Sequence, residues 1–324
     1  MDALSDVLRL VRLTGAVFLD AEFTAPWCIG EPSGVEVCVE HMPQAQHVVI
    51  YHLVTQGGCD VALAGETPRS AQAYDLIVIP GGNEHSLGSD LSGPRGDGKR
   101  LVVQRSPDGA SQVRYGGGGA VTRLVCGYLA CESALFSTIL AALPRLMIIN
   151  LHDGPGGQWL ASSLQFSLAE SAAPKAGAGT VLAKLSELMF VEAIRRHIES
   201  LPPDQQGWLA GLRDRFVGKA LALLHSNPAR AWTVDDLAAC VALSRSALAE
   251  RFTALIGHPP MQYLTRWRLQ LAADLLQGSQ RSIAAIAAEV GYESVAAFSR
   301  AFKREQGTSP AAWRHAARGE VTGQ

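Results

Sequence analysis

The C-terminal third of the chain contains an internal repeat. Leu237-Ala238-Ala239 recurs as Ile286-Ala287-Ala288 at an offset of 49. After one extra residue in the second copy the offset becomes 50, and six further pairs align: Ser244/Ser294, Leu248/Phe298, Phe252/Phe302, Gly257/Gly307, Pro260/Pro310 and Tyr263/Trp313. Because apolar positions, serines and a closing Gly-x-x-Pro recur together, the chain is predicted to contain two copies of one helical unit.

Each copy has the pattern of two helices joined by a tight turn. In the first copy, Thr233 and Asp236 have the spacing of a capping box, Ser244 precedes a second helix, and Gly257 ends it. The second copy has capping serines and glycines at the matching places, namely Ser282, Gly291, Ser294 and Gly307. Such pairs, at about 234–255 and 283–306, are typical of helix-turn-helix units that place their second helix in the major groove. A bundle of two α-hairpins is the structural alternative.

The charge distribution favours a DNA-binding domain over a helical bundle without a nucleic-acid partner. The whole chain has a net charge of −2. Residues 208–324 contain 14 Lys and Arg against 9 Asp and Glu, a net charge of +5, whereas residues 1–207 have a net charge of −7. A basic C-terminal part is expected of a domain that binds a polyanion. The acidic N-terminal part is not expected to bind one.

Residues 214–316 resemble the DNA-binding domain of AraC/XylS-family transcription regulators. The motifs that carry the resemblance include Trp232–Ala238, Ser244-Arg245-Ser246-x-Leu248, Pro259-Pro260-Met261-x-Tyr263, Gly291-Tyr292-Glu293-Ser294 and Gly307-x-Ser309-Pro310. The resemblance implies seven helices, with a long helix near Pro260–Gln277 that joins two helix-turn-helix lobes on one face of DNA.

The resemblance also implies which residues meet DNA. The base-reading candidates of the two second helices are Arg245, Ser246, Ala249 and Glu250, then Val295, Ala296, Ser299 and Arg300. Arginine can bond guanine, glutamate can accept from cytosine, and Ala or Val can touch a thymine methyl. The candidates for phosphate contact are Thr233, Arg266, Ser282, Lys303 and Arg304. For each polar residue, the alternative to a DNA contact is a side chain that is simply exposed to solvent.

The N-terminal part has short β-rich runs at Val35–Val39, Val48–Val54, Asp75–Ile79 and Val121–Leu129, separated by turn residues. They predict an all-β sandwich or barrel. Helical patterns follow at Trp159–Ser171 and Gly179–Ser200. We therefore expect a multi-domain chain: an all-β barrel followed by helices (1–158), a helical linker or dimerisation segment (159–207), and an all-α domain with both helix-turn-helix units (208–318).

The segment Asp75-x4-Pro80-x-Gly82-x-x-His85 resembles the second signature of the cupin barrel. The region resembles the cupin-type sensor half of some AraC-family regulators. A metal-dependent cupin enzyme needs an earlier ligand set, but Pro43, Ala45 and Ile50 stand where that set is expected. We therefore expect no catalytic residues and no enzyme.

Three histidines are candidates for an effector or metal site: His47, His52 and His85. They could bind zinc or another divalent metal, or they could be hydrogen-bonded residues of the core or of a pocket. No cofactor is required by the sequence. The six cysteines form no C-x-x-C pair, and Cys28 and Cys126 are the candidates for a redox signal.

Together these features predict a sequence-specific DNA-binding transcription regulator, activator or repressor, whose cupin-like domain senses a small molecule, a metal or a redox signal. The expected partners are double-stranded DNA, an effector, RNA polymerase for an activator, and a second copy in a homodimer. The N-terminus lacks a secretion signal and no apolar run would span a membrane, so a cytoplasmic location is expected. The alternatives are a cupin enzyme with a helical partner-binding module and a purely architectural DNA binder.

Overall fold

The computed structural model describes residues 2–11, 13–14, 19–34, 36, 45–98, 111–131, 133, 135–152, 156–160, 162–163 and 176–317. The chain divides into two compact units. The sheet-rich unit comprises Leu13–Glu132 and Leu143–Glu199, and the helical unit comprises Met1–Arg12, Ser133–Ala142 and Ser200–Gln324. The helical unit thus takes two short segments from the N-terminal half of the sequence. This division differs from the predicted boundaries, which follow the sequence without interleaving.

Twelve strands are found among the described residues of the sheet-rich unit. They are β1 (Leu13–Thr14), β2 (Leu19–Thr24), β3 (Cys28–Glu31), β4 (His47–Gln56), β5 (Gly58–Leu63), β6 (Arg69–Gln72), β7 (Asp75–Ile79), β8 (His85–Gly88), β9 (Gly96–Asp97), β10 (Ser111–Gly116), β11 (Val121–Cys131) and β12 (Met147–Asn150). One sheet has the order β10-β2-β11-β4-β7-β12, with β1 also paired to β11, and the other has the order β6-β5-β8-β3-β9.

Side chains from both sheets form one apolar core, which includes Phe23, Val54, Val61 and Leu87. An all-β domain of two sheets removes its apolar surface from water by packing one face of each sheet against the other. The predicted all-β N-terminal architecture is therefore confirmed. Among the predicted runs, Val48–Val54, Asp75–Ile79 and Val121–Leu129 lie in β4, β7 and β11, whereas Val35–Val39 lies mostly outside the described residues.

The structure gives the bounds of eleven helices, and residues 156–160 and 162–163 are also helical. The eleven are α1 (Ala3–Leu10), α2 (Phe136–Ala142), α3 (Ala178–Ser200), α4 (Trp208–Arg213), α5 (Val217–Ser226), α6 (Val234–Val241), α7 (Arg245–Ile256), α8 (Pro260–Gly278), α9 (Ile283–Glu289), α10 (Val295–Gln306) and α11 (Pro310–Ala317). Helix α3 belongs to the sheet-rich unit and matches the predicted Gly179–Ser200 helix. The predicted Trp159–Ser171 helix lies mostly outside the described residues. No described helix is long and apolar enough to cross a bilayer.

Residues 217–317 form the seven helices that the resemblance implies, α5 to α11. Helix α8 is shared by two cores. In its first half, Trp267 stacks on His225 of α5, with ring centroids 3.9 Å apart. In its second half, Leu269, Ala273 and Leu276 pack in a second core with Phe298 of α10. One continuous helix therefore supports both lobes, which makes it a stiff connection between them.

The predicted caps are present in both lobes. The Thr233 hydroxyl accepts from the Asp236 amide at 3.0 Å while the Asp236 carboxylate accepts from Thr233, which completes the capping box. Ser244, Ser282 and Ser294 accept from the amides three residues on. Gly257 and Gly307 end α7 and α10 in the left-handed region. Since side-chain caps satisfy orphan amides at each helix start, the sequence fixes these boundaries locally.

The turns of the two lobes differ at one equivalent position. Ala242 adopts φ 59° in the first turn and Gly291 adopts φ 86° in the second. A Cβ on Gly291 would lie 2.8 Å from the Cα and the carbonyl oxygen of Ala229, which are backbone atoms. Glycine is therefore required in the second turn both by its φ and by space, whereas the first turn tolerates alanine with some strain.

We expect Gly291→Ala to lower the free energy of unfolding of the helical unit by at least about 1–2 kcal/mol, because the left-handed backbone alone costs that much for a non-glycine residue. The reciprocal change Ala242→Gly should leave stability equal or higher, since it relieves the same strain. Thermal unfolding of the full chain measures both. Equal losses in the two variants would contradict the assigned difference between the turns.

Candidate nucleic-acid interface and barrel site

Helix α7, the second helix of the first lobe, has two distinct faces. The side chains of Leu248 and Phe252 are fully buried in the lobe. Of the four residues predicted to read bases, Arg245, Ser246 and Glu250 are exposed and Ala249 is half-buried. Helix α7 therefore has a core face and a solvent face, while the base contacts themselves stay predictions.

Arg245 is already engaged by a nearby carboxylate. Its Nη1 lies 3.3 Å from Oδ2 of Asp235, and both side chains are about two-thirds exposed, at 69% and 66%. An exposed pair of this kind contributes little stability and is easily exchanged for another anion. The ion pair with Asp235 therefore does not hold Arg245 firmly in place.

Helix α10, the second helix of the second lobe, likewise has buried and exposed side chains. Phe298 and Phe302 are fully buried, whereas Val295 is 43% exposed, an unusual position for a large apolar side chain. Ala296 and Arg300 are also exposed, and Ser299 is half-buried. The exposed Val295 and Arg300 are of the residue types that can touch a thymine methyl and bond guanine, respectively.

The residues predicted to contact phosphates divide into three groups. The hydroxyls of Thr233 and Ser282 act as helix caps, which leaves amides at two exposed helix starts. Lys303 and Arg304 are exposed in the last turn of α10. Arg266 is different, because it is half-buried, contacts His258, and lies 3.5 Å from the Glu305 carboxylate. It is the least accessible of the five.

Two other arginines of the helical unit have structural roles. Arg268 donates to the carbonyl oxygens of Pro228, at 2.7 Å, and Arg230, at 2.8 Å. Arg251 donates to the carboxylate of Asp214, at 2.7 Å from its Nε. Part of the positive charge of the C-terminal region therefore bonds other groups of the same domain instead of being available to DNA.

A buried aromatic chain organises the first lobe around His225. Trp208 Nε1 donates to Tyr263 Oη at 3.0 Å, and Tyr263 Oη lies 2.7 Å from His225 Nε2. The Tyr263 oxygen accepts from Trp208, and its O–H is free to donate to His225 in the tautomer whose Nε2 is unprotonated. Burial lowers the pKa of His225 to about 3, against an opposing backbone hydrogen bond with Ala3.

We expect the helical unit to lose stability in mild acid. Its folded state keeps His225 neutral, whereas the unfolded chain titrates near pH 6.5, so this contribution is complete above pH 6.5 and is lost as pH falls towards 3. At pH 5 the loss is about 2 kcal/mol. Fluorescence can follow it, because Trp208, Trp232, Trp267 and Trp313 belong to the helical unit. In His225→Phe, which cannot titrate, the difference between pH 8 and pH 5 should shrink by this amount; an unchanged difference would refute the assignment.

The sheet-rich unit brings two predicted site residues together. His52 of β4 and His85 of β8 belong to different sheets, yet their Nε2 atoms lie 2.8 Å apart. His52 is 2% exposed and His85 is 1% exposed. Burial lowers the pKa of His85 to about 4 and holds the pKa of His52 well below its ordinary value, with the neighbouring His85 acting in the same direction. Both rings are therefore neutral at neutral pH.

The hydrogen bonds assign the tautomers of this pair. His85 Nδ1 lies 3.0 Å from the Asn83 carbonyl oxygen, which can only accept, so Nδ1 carries the proton of His85. His85 Nε2 must then accept from His52 Nε2–H. Nδ1 of His52 is left with a lone pair, and within the described residues it has no hydrogen-bond partner. A buried acceptor without a donor is costly, so it marks a place where a donor would bind favourably.

Two further polar groups share the faces of these histidines. Cys126 pairs directly with His52 between β11 and β4, and Glu31 pairs directly with His85 between β3 and β8. Directly paired residues of antiparallel strands point to the same side of the sheet. Burial raises the pKa of Glu31 to about 7, and the charge of Asp97 acts in the same direction. Sequence analysis missed Glu31, because nothing in its spacing connects it to His85.

His47 does not join this group. It lies five residues before His52 in a continuous register with β11, so the two side chains point to opposite faces of β4. Among the described residues, no group of three or more His, Cys, Asp or Glu could hold a metal ion. His52 and His85 direct their ring nitrogens at each other instead, and these residues do not fit a divalent-metal centre.

The two candidate redox cysteines lie in strands. Cys28, in β3, is 3% exposed, and Cys126 is half-buried in β11. Burial raises the pKa of the Cys28 thiol and raises that of Cys126 well above its ordinary value. Both shifts disfavour the thiolate, which is the reactive form of cysteine.

Comparison with known proteins agrees with this geometry. Residues 2–199 match the family model described as Cupin, and residues 237–316 match the model described as Helix-turn-helix domain. A putative AraC-like transcription regulator from Streptomyces antibioticus is 33% identical over 97% of this chain and 98% of its own length. The HTH-type transcriptional regulator AlkR of Acinetobacter baylyi is 31% identical over 97% of this chain and 99% of its own length.

Among solved structures, the DNA-binding domain of AdpA in complex with a target DNA is 32% identical, covers 34% of this chain and 99% of that chain, and has a TM-score of 0.32. The family matches and the nearly full-length relatives confirm the predicted family, fold class and function. The chain belongs to the AraC-like family of DNA-binding transcription regulators and combines a cupin domain with a C-terminal helix-turn-helix domain.

Proposed function

We propose that this regulator reads an asymmetric operator with its two different second helices, α7 and α10, and that α10 is the principal reader. The observation that carries this proposal is the outer face of α10, where Ala296 and Arg300 are exposed on the side opposite the buried Phe298 and Phe302, together with Val295, which is exposed at the first residue of the helix. Two such helices on one chain predict major-groove segments about one helical turn apart, near ~34 Å. Arg245, Ser246, Ala249 and Glu250 of α7 read the other segment.

Phosphate contacts fix this arrangement on the duplex. Lys303 and Arg304 are exposed next to the reading face of α10, and the helix starts capped by Thr233 and Ser282 present backbone amides. Contacts of this kind position a protein without reading sequence. Arg266 contributes only if DNA displaces Glu305, so it ranks last in this set.

The barrel site is the place where the cupin domain receives its signal. Within the described part of the chain, His52 offers an acceptor without a partner, and its neighbours are a neutral His85, a thiol and a carboxyl whose pKa is near neutrality. Such a site favours a small, uncharged effector with a hydrogen-bond donor over an anion or a metal ion. We infer a sensing role rather than an enzymatic one, because the two imidazoles are committed to each other.

A route from the barrel site to the DNA-binding domain follows the chain itself. Strand β11 carries Cys126 opposite His52 and ends at Cys131, two residues before Ser133. Ser133 belongs to the helical unit, where its hydroxyl donates to the Asp274 carboxylate at 2.6 Å. Asp274 lies on α8, the helix that supports both lobes. A shift of β11 on effector binding would therefore reach the element that sets the spacing of the reading helices.

Selection from random duplexes, followed by affinity measurements at several salt concentrations, tests this function. We expect an enriched asymmetric site and an affinity whose logarithm falls linearly with the logarithm of salt concentration, by about 0.9 for each phosphate contact. Binding with no preference between the selected and scrambled duplexes would indicate an architectural DNA binder and overturn the proposal. Transcription of a reporter carrying the site distinguishes an activator, which engages RNA polymerase, from a repressor. We expect the protein to act in the cytoplasm.

A further inference from the structure

The second helices of the two lobes carry opposite charges at equivalent positions. Helices α7 and α10 each have 12 residues, and Glu250 and Arg300 are the sixth residue of each. Both side chains are exposed. Each follows a fully buried residue, Leu248 or Phe298, by two positions, which at about 100° per residue is the opposite side of the helix. The two lobes therefore present a carboxylate and a guanidinium from the same place on their outer faces.

The carboxylate of Glu250 is not neutralised within the helical unit as far as the structure describes it. A helix places ion-pair partners three and four positions apart, and none of the residues at these positions is basic. They are Ser246, Ala247, Thr253 and Ala254. Two arginines of the same helix, Arg245 and Arg251, form ion pairs with Asp235 and Asp214 instead. Glu250 thus brings an uncompensated negative charge to the face that is proposed to meet DNA.

Such a charge opposes binding to most DNA sequences. It repels the phosphates, and carboxylate oxygens can only accept hydrogen bonds. Most groups that the bases expose in the major groove are acceptors as well, whereas the N4 amino group of cytosine is a donor that glutamate can use. The cost of placing Glu250 in the groove is therefore offset only where an amino group of a base meets it.

The ends of the two helices reinforce this difference between the lobes. The last turn of α10 contains Lys303 and Arg304, both exposed, whereas the last turn of α7 contains no basic residue. Basic side chains beside the reading face attract phosphates of any sequence, so this attraction is stronger in the second lobe. The first lobe has fewer means of holding DNA whose bases it does not match.

We propose that Glu250 is a specificity-determining residue that makes the first lobe a filter. It accepts a hydrogen bond from a cytosine at one operator position and penalises DNA that lacks this base there, while the second lobe supplies the general affinity for DNA. This assignment rests on the operator reading proposed above and goes further, because it gives the two lobes different tasks. A regulator built in this way gains specificity by rejecting wrong sites as well as by binding the right one.

A change of base preference tests the contact itself. Glu250→Arg should change the preferred base at one operator position from cytosine to guanine, because it places in α7 the side chain that α10 has at the same place. The preference at the position read by Arg300 should stay. Selection from random duplexes, run in parallel with both proteins, measures this. A variant that selects the unchanged operator would overturn the filter and leave the proposed function intact, whereas an unchanged protein that enriches no site would overturn both.

Removing the charge tests the penalty. Glu250→Ala should raise affinity for scrambled DNA about two- to fivefold, as expected for the loss of one like-charge contact in water. It should lower the preference for the selected site over one with the cytosine replaced at least about fivefold. Asp204→Ala is the matched control, because Asp204 is also exposed in the helical unit but lies outside both helix-turn-helix units. Competition binding compares the three proteins. Equal effects of the two variants, or none from Glu250→Ala, would overturn the proposal.

Discussion

Replacing Phe298 with alanine is expected to destabilise the second helix-turn-helix lobe by about 3–5 kcal/mol, the range for removing a buried phenylalanine. Its ring is fully buried and contacts Tyr292 and Phe302, at centroid distances of 5.5 and 5.6 Å. Four alanines, Ala272, Ala273, Ala287 and Ala301, belong to the same core. Alanines cannot expand to fill the space, so most of the cavity should persist.

Val295 provides the matched control for this prediction, since it is on the same helix and faces solvent. Val295→Ala should leave the free energy of unfolding within about 0.5 kcal/mol, as is usual for surface substitutions. Denaturant unfolding followed by Trp313, which packs edge-on against Phe302 with centroids 6.0 Å apart, reports on this lobe. If Phe298→Ala and Val295→Ala cost the same, the assigned core and outer faces of α10 would be incorrect.

The helical domain could be predicted closely from the sequence because its determinants are local. Capping residues such as Thr233 and Ser294 act on amides three residues away, and the apolar period separates Phe298 from Arg300 without knowledge of the rest of the fold. Because the helical unit is repeated, each of these sequence signals occurs twice. Family, fold class and function followed from these local features, and the comparisons confirm them.

Other features depend on contacts between distant parts of the chain and leave no periodic trace. Glu31 lies opposite His85 only because β3 pairs with β8, and Ser133 bonds Asp274 across 141 residues of sequence. A count of charges likewise does not show the internal roles of Arg251 and Arg268, because it treats every basic residue as available to DNA. For the same reason sequence analysis could place His52 and His85 in one region but could not foresee that they bond each other.

The largest expected effect on recognition is that of Arg300. It is exposed on the reading face of α10, in the middle of the helix, between the apolar Val295 and the basic last turn. A bidentate arginine contact to guanine contributes about 1–3 kcal/mol of discrimination. We therefore expect Arg300→Ala to weaken binding to the selected site by about 5–150-fold. Binding to scrambled DNA should change little, and the preference at one base pair should relax.

Lys303→Ala is the control that separates base reading from phosphate contact, because Lys303 lies one turn further along the same helix and is also exposed. This variant should weaken binding to selected and scrambled duplexes alike and reduce the salt slope by about 1, without changing base preference. Competition binding at two salt concentrations resolves the two patterns. If Arg300→Ala behaved like Lys303→Ala, Arg300 would hold a phosphate, and the readout by α10 would depend on Val295, Ala296 and Ser299 alone.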